Sequence, residues 1–234
     1  MFKITEIIDG YRLEKRINTY TALIKKDSTQ ETAFIANTGR MTELLIKDVP
    51  VFIKRADNPK RKTLYDLMAV SRDVTIVCID SRVPNWIFEY QLKNNKLKEL
   101  DGFEIKKREF KIGNSKIDYL LHSIKEKCLV ELKLCTLVND KEMLFPDAVS
   151  QRSTKHLLDL INADRQGYRT IVIFLGLRGD PMSFKPNEKL DPKFKEAVDK
   201  ALEAGVEIIS LKTEIQYEKA ELIFSDLKNI PMKK

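Results

Sequence analysis

The run TIVIFLGL (170–177) has no charged residue, in a chain whose residues are 33% charged. A strand apolar on both faces must be covered on both faces. That is the setting of a central, parallel strand with helices packed above and below it. The flanking sequence supplies such helices. DAVSQRSTKHLLDLINADR precedes the run, with an apolar stripe of Val149, Leu157, Leu160 and Ile161 and with Asp147 placed to cap it. DPKFKEAVDKALEAG (191–205) follows, with Asp191 at the N-cap, Pro192 at the first helical position and Gly205 at the end. VEIISLKTEI (206–215) then reads as a further strand.

Upstream, a helix is expected from about Pro84 to Leu97, with Trp86 in the core. FEIKKREFKI (103–112), SKIDYLLH (115–122) and CLVELKLCT (128–136) read as strands. The order from Pro84 is then α-β-β-β-α-β-α-β, a mixed sheet flanked by helices. Residues 1–80 have a different texture. YTALIKK (20–26), ETAFIAN (31–37), VPVFIKR (49–55) and VTIVCID (74–80) are short β-branched and aromatic runs separated by polar turns. Such spacing suggests a small barrel or sandwich. The predicted fold is mixed α+β, with a β-barrel over 1–82 and a mixed sheet over 83–234.

Several classes are set aside. No stretch approaches eighteen uncharged apolar residues, and MFKITEIIDGYRLEKR lacks an apolar signal core. Cys78, Cys128 and Cys135 form no C-x-x-C pair, which argues for a reducing, cytoplasmic setting and against zinc. With only His122 and His156, a multi-histidine metal centre is excluded. The formal charge of +7 fits a nucleic-acid partner. VFIKRADNPKRK (51–62) gathers Lys54, Arg55, Lys60, Arg61 and Lys62, either as a solvated loop or as a phosphate-contacting patch.

The chemistry concentrates in residues 115–136. If the two strands form a hairpin whose turn centres between Ile124 and Lys125, Asp118 falls opposite Glu131. Lys133 lies on the same face as Glu131. Ile117, Tyr119 and Leu121 share the other face. Like charges so opposed repel, and burying them is costly unless something compensates. A divalent cation would compensate, since Mg²⁺ takes hard oxygen ligands and keeps waters for substrate phosphates. Lys133 could then orient the attacking water or stabilise charge developing on phosphorus. A pair of ordinary strand residues is the plain alternative.

The motifs NTGRM (37–41), NPKRK (58–62), SKID (115–118), VELK followed by CT (130–136) and FPDAV…R…KH (145–156) occur together and in order. The chain thereby resembles the sugar fermentation stimulation protein A family over nearly its whole length. The resemblance implies an OB-like barrel followed by a PD-(D/E)XK, restriction-endonuclease-like domain. It implies DNA binding, with divalent-metal-dependent nuclease activity suspected from the fold and Mg²⁺ or Mn²⁺ as cofactor. The alternative is a non-catalytic, DNA-binding regulator of sugar metabolism with a relic metal site. By this resemblance Asp118 and Glu131 match the metal-binding acids and Lys133 the catalytic lysine. Asp147, Gln151, Arg152, Lys155 and His156 fall in the helix motif. Arg16, Arg40 and the basic residues of 54–62 match the barrel's nucleic-acid-binding features.

The match has departures. A Glu usual in the first helix is replaced by Tyr90, with Glu89 one residue earlier. One residue turns a helical side chain by about 100°. The usual T-E-R-G reads Ser150-Gln151-Arg152-Ser153. Asn18 and Thr19 stand where Lys and Arg are common. Arg152 and His156 lie one turn apart, facing either the acids or solvent.

Overall fold

A computed structural model describes residues 1–58, 60–113 and 115–233. Pro59 of the NPKRK motif therefore lies outside the described residues. Strands β1 (Phe2–Ile4), β2 (Ile7–Asn18), β3 (Thr21–Lys26), β4 (Thr29–Phe34), β5 (Pro50–Arg55), β6 (Tyr65–Arg72) and β7 (Thr75–Cys78) lead to helix α1 (Val83–Lys93). Strands β8 (Glu104–Ile112), β9 (Ser115–His122), β10 (Lys127–Leu134), β11 (Leu137–Asn139) and β12 (Glu142–Phe145) precede helix α2 (Gln151–Asp164). Strands β13 (Arg169–Gly176) and β14 (Ser183–Pro186), helix α3 (Pro192–Glu203) and strands β15 (Glu207–Lys212), β16 (Ile215–Glu218), β17 (Glu221–Phe224) and β18 (Lys228–Asn229) complete the chain.

The first half is an OB barrel. Its strands run β4-β3-β2-β5-β6-β7, and a parallel pairing of β4 with β6 closes the cylinder. Leu13, Ile24, Ile35, Ile53 and Leu67 fill the interior, none more than 1% exposed. The four expected strands form as β3, β4, β5 and β7. Two more, β2 and β6, lacked a clean period of two. In β2 the pairing slips at bulges beside Leu13 and Arg16, which breaks the alternation. Strand β6 is buried on both faces: Leu67 and Val70 enter the barrel, while Met68 and Ala69 pack against the second half.

The second half carries a mixed sheet in the order β18-β15-β13-β10-β9-β8. Strand β13, the TIVIFLGL run, lies between parallel neighbours β10 and β15. Its residues alternate as expected. Ile171, Ile173 and Leu175 face the layer that contains α1, and Val172 and Phe174 face α2 and α3. The α1 layer also takes in Ile7, Phe52 and Cys78, so the barrel's outer wall completes this core. β1 leaves the barrel altogether and pairs with β17.

Local differences have local causes. α1 ends at Lys93 rather than Leu97, because Asn95 takes a left-handed φ of 51° and Asn94 Nδ2 donates to the Tyr90 carbonyl. Trp86 is 39% exposed rather than buried, with the Arg82 guanidinium 5.7 Å from its ring centre. α2 is capped by Ser150, whose hydroxyl accepts from the Ser153 N–H, and not by Asp147. Val149 lies before the helix and is exposed. Asp191 caps α3 as expected, accepting from the Phe194 N–H, and its second oxygen accepts from the Ser150 N–H. That one buried carboxylate ties the starts of α2 and α3 together. The strands β11, β12 and β14 make a small separate sheet that the sequence pattern did not announce.

Candidate active site

The β9–β10 hairpin sets the geometry. Ser123 makes the turn, its N–H donating to the Glu126 carbonyl and its hydroxyl accepting from the Lys125 and Glu126 N–H groups. The ladder then runs from Lys127 opposite His122 to Val130 opposite Tyr119. One step further in the same register brings Glu131 to Asp118, as the turn position predicts. There the ladder gives way to side chains. The Asp118 N–H donates to Glu131 Oε2 at 3.2 Å, and the Leu132 N–H donates to Asp118 Oδ2 at 2.7 Å. Each carboxylate thus accepts from the other strand's backbone.

Leu120 and Leu129 belong to the α2 side of the sheet, which places Asp118 and Glu131 on that side too. Ile117 also joins this cluster, not that of Tyr119 and Leu121, so the alternation of β9 is lost at Asp118. Glu131 is 2% exposed. Its Oε1 receives Lys133 Nζ and lies 2.5 Å from His156 Nδ1. Burial opposes the Glu131 charge, but Lys133 and His156 outweigh it and hold the carboxyl below its usual value. Asp118 behaves oppositely. Burial, reinforced by the charge of Glu131, pushes it up to about 6.

A divalent ion is the natural complement of such a pair. Among the described residues, no group of three or more His, Cys, Asp or Glu is arranged around one point. The donor chemistry nonetheless fits a hard cation held by two carboxylates and completed by water or phosphate oxygens. Asp118 lines an open cleft, and among the described residues its Oδ1 carries no hydrogen bond. Glu131 Oε1 is held by both Lys133 and His156, whereas Oε2 accepts from the Asp118 N–H alone and keeps a lone pair that a cation could use.

That cleft lies between the two halves and has a volume of about 660 Å³. Asp118, Lys133, Asp147 and Arg152 line it from the second half, with Asn37, Thr38 and Gly39 of the barrel. Asp147 reaches across: its Oδ2 accepts from the Met41 N–H at 3.3 Å. The same oxygen sits 2.4 Å from where a Cβ on Gly39 would be, so a larger residue there would have to displace the Asp147 carboxylate. Gln151, Arg152, Lys155 and His156 line a separate groove with Ser115 and Lys116. Arg152 borders both openings, and its Nε donates to His156 Nε2 at 3.4 Å.

The basic barrel residues serve several ends. The Arg16 guanidinium donates to the carbonyls of Asn18, Thr19, Asn37, Gly39 and Arg40, bracing the NTGRM loop. Lys54 pairs with Glu6, and Arg61 with Asp66. Arg40, Arg55, Lys60 and Lys62 are exposed. Glu89 accepts from the Tyr119 hydroxyl and pairs with Arg108, while Tyr90 packs on Phe2 with ring centres 5.7 Å apart. The sequence reading missed Tyr20, Phe34 and Arg82, which also line the cleft. Tyr20 and Phe34 sit in runs that read simply as strand residues.

Comparison with known proteins gives a consistent result. Residues 15–79 match the SfsA N-terminal OB domain, and residues 82–219 match the Sugar fermentation stimulation protein RE domain. A sugar fermentation stimulation protein homolog of Alkaliphilus oremlandii is 37% identical over 229 residues, covering 96% of each chain. One from Alkaliphilus metalliredigens is 40% identical over 196 residues, covering 83% of this chain and 84% of that one. The solved structure of Pyrococcus furiosus SfsA in complex with Ca²⁺ aligns with a TM-score of 0.92 at 30% identity, over 100% of this chain and 98% of that one.

Proposed function

We infer that this protein, which belongs to the sugar fermentation stimulation protein family, is a DNA-binding phosphodiesterase that works with a divalent cation. In this reading the barrel, residues 1–82, grips the nucleic-acid backbone and residues 83–234 carry the chemistry. The observation that carries it is Asp118 on the edge of an open cleft, opposed to the buried Glu131 beside Lys133. Asp118 and Glu131 would hold Mg²⁺ or Mn²⁺. A Ca²⁺ complex of the relative with a TM-score of 0.92 supports a site for hard divalent ions. When bound, the cation polarises the phosphoryl group and lowers the pKa of water.

The chain's own residues do the rest. Lys133, ion-paired with Glu131 and lining the cleft, would be placed to meet charge developing on phosphorus. His156 keeps Glu131 oriented through Oε1. Arg152, at the mouth of both openings, contacts a flanking phosphate. The test is metal-dependent cleavage across single-stranded, duplex and branched DNA, comparing wild type with Asp118→Ala. If both bind DNA and neither cleaves any substrate, the enzyme reading fails.

One observation favours the second reading, a non-catalytic DNA-binding regulator. Both oxygens of Glu131 are engaged within the protein. Calorimetry with Mn²⁺ separates the two, because a relic site would show no ion binding that depends on Asp118.

A further inference from the structure

Tyr20 and Phe34 form an aromatic pair at the barrel side of the cleft. Their rings lie 18° from parallel with centres 6.2 Å apart, and both line the space that Asp118 and Lys133 line. Tyr20 is 50% exposed. The Phe34 ring is braced by an ion-pair network. The Arg61 guanidinium sits 4.8 Å from the Phe34 ring centre, Arg61 pairs with Asp66 at 2.8 Å, and Asp66 pairs with Arg82 at 2.8 Å. The Tyr20 backbone is held on both sides, its N–H donating to Asn18 Oδ1 and its carbonyl accepting from the Ile35 N–H.

We propose that Tyr20 and Phe34 are a stacking platform for an unpaired base, and that the ligand of the cleft is single-stranded DNA. This rests on the nucleic-acid reading above. An aromatic ring stacks only on a base face that is free, and in a duplex both faces of each interior base are taken by its neighbours. The pair contributes nothing to the barrel interior, which Leu13, Ile24 and Ile53 already fill. Arg61 stiffens the platform through a cation–π contact with Phe34. A preorganised ring loses little freedom when a base lands on it. The cleft has room for a short stretch of strand, with Asp118 and Lys133 along the same opening.

The experiment is fluorescence anisotropy with labelled oligothymidine in EDTA, so that neither metal nor cleavage enters. Three ligands are compared: the oligonucleotide, the same chain carrying abasic positions, and a duplex of equal length. Tyr20→Ala should weaken oligothymidine binding about 5- to 150-fold, the range for one lost base–aromatic stack, and leave duplex binding as it was. Tyr20→Trp should restore the wild-type affinity. The abasic ligand should bind wild type weakly and show no further loss with Tyr20→Ala. The proposal is overturned if Tyr20→Ala leaves oligothymidine affinity unchanged, if it weakens single strand and duplex equally, or if wild type does not bind oligothymidine. Any of these outcomes leaves the cleavage test of the acidic site standing, and failure of that test leaves this one standing.

Discussion

His156 Nδ1 lies 2.5 Å from Glu131 Oε1, joining α2 to β10 across 25 residues of chain. The same ring accepts from Arg152 Nε through Nε2. The buried carboxylate is therefore held by a side chain from another element, and that element is anchored by the Ser150 and Asp191 caps.

Removing this support should cost stability. His156→Ala leaves a 2%-exposed carboxylate with one fewer donor. We expect a loss of about 3 kcal/mol, the scale for breaking a buried pair, read from the urea midpoint. His156→Gln should recover part of it. An unchanged midpoint would mean that Lys133 and the Asp118 N–H suffice to satisfy Glu131.

Asp118 makes a prediction of the opposite sign. Its folded pKa of about 6 stands above the usual 3.8. A raised acid is easier to bury when protonated, so its charge weakens the fold above pH 6 and costs nothing below pH 4. Asp118→Asn should raise stability at pH 8 by up to about 3 kcal/mol, since each pKa unit is worth about 1.4 kcal/mol. The gain should shrink steadily as pH falls from 6 to 4. A gain independent of pH would show that Asp118 is not strained by its charge. Cation binding should strengthen over the same rise in pH, because proton and metal compete for one carboxylate.

Gly39 and Asp147 should behave as a coupled pair. A Cβ at Gly39 would meet Asp147 Oδ2 at 2.4 Å and displace it from the Met41 N–H. Gly39→Ala is expected to cost about 1–3 kcal/mol, as overpacking does. The cost should drop when Asp147→Ala is also present. A double-mutant cycle showing simple additivity would contradict the contact.

Arg16 offers a direct choice between bracing and binding. Its guanidinium spends itself on five backbone carbonyls around the NTGRM loop. Arg16→Lys should lower the melting temperature, because an ammonium cannot reach that fan of acceptors. The salt dependence of DNA affinity should stay the same. A slope reduced by about one, the signature of a lost phosphate contact, would put Arg16 on the DNA instead.

Much of the architecture was legible from local pattern. The uncharged run 170–177, most of which forms β13, demanded a covered central position, and the Pro192-to-Gly205 punctuation bounded α3. The turn at Ser123–Glu126 even set the register that opposes Asp118 to Glu131. The strands β2 and β6 were not legible. One slips register at bulges, and the other is buried on its outer face by a domain whose position no local period encodes. Asp147 illustrates the same limit. Its sequence setting suited a helix cap, yet its partner is Met41, 106 residues away.

The sequence by itself determined which strands carry the two acids and, given a turn centred between Ile124 and Lys125, that they would face one another, because alternation and turn position are properties of a few adjacent residues. Only the tertiary structure decided that His156 and Lys133 would hold Glu131 while Asp118 kept an oxygen toward the cleft. It also decided that Arg16 and Arg61 would brace the barrel side, and that Tyr20 and Phe34 would lie along the same opening. Those assignments depend on how the two halves dock through a shared core, and docking is set by the summed burial of surfaces distant in the chain.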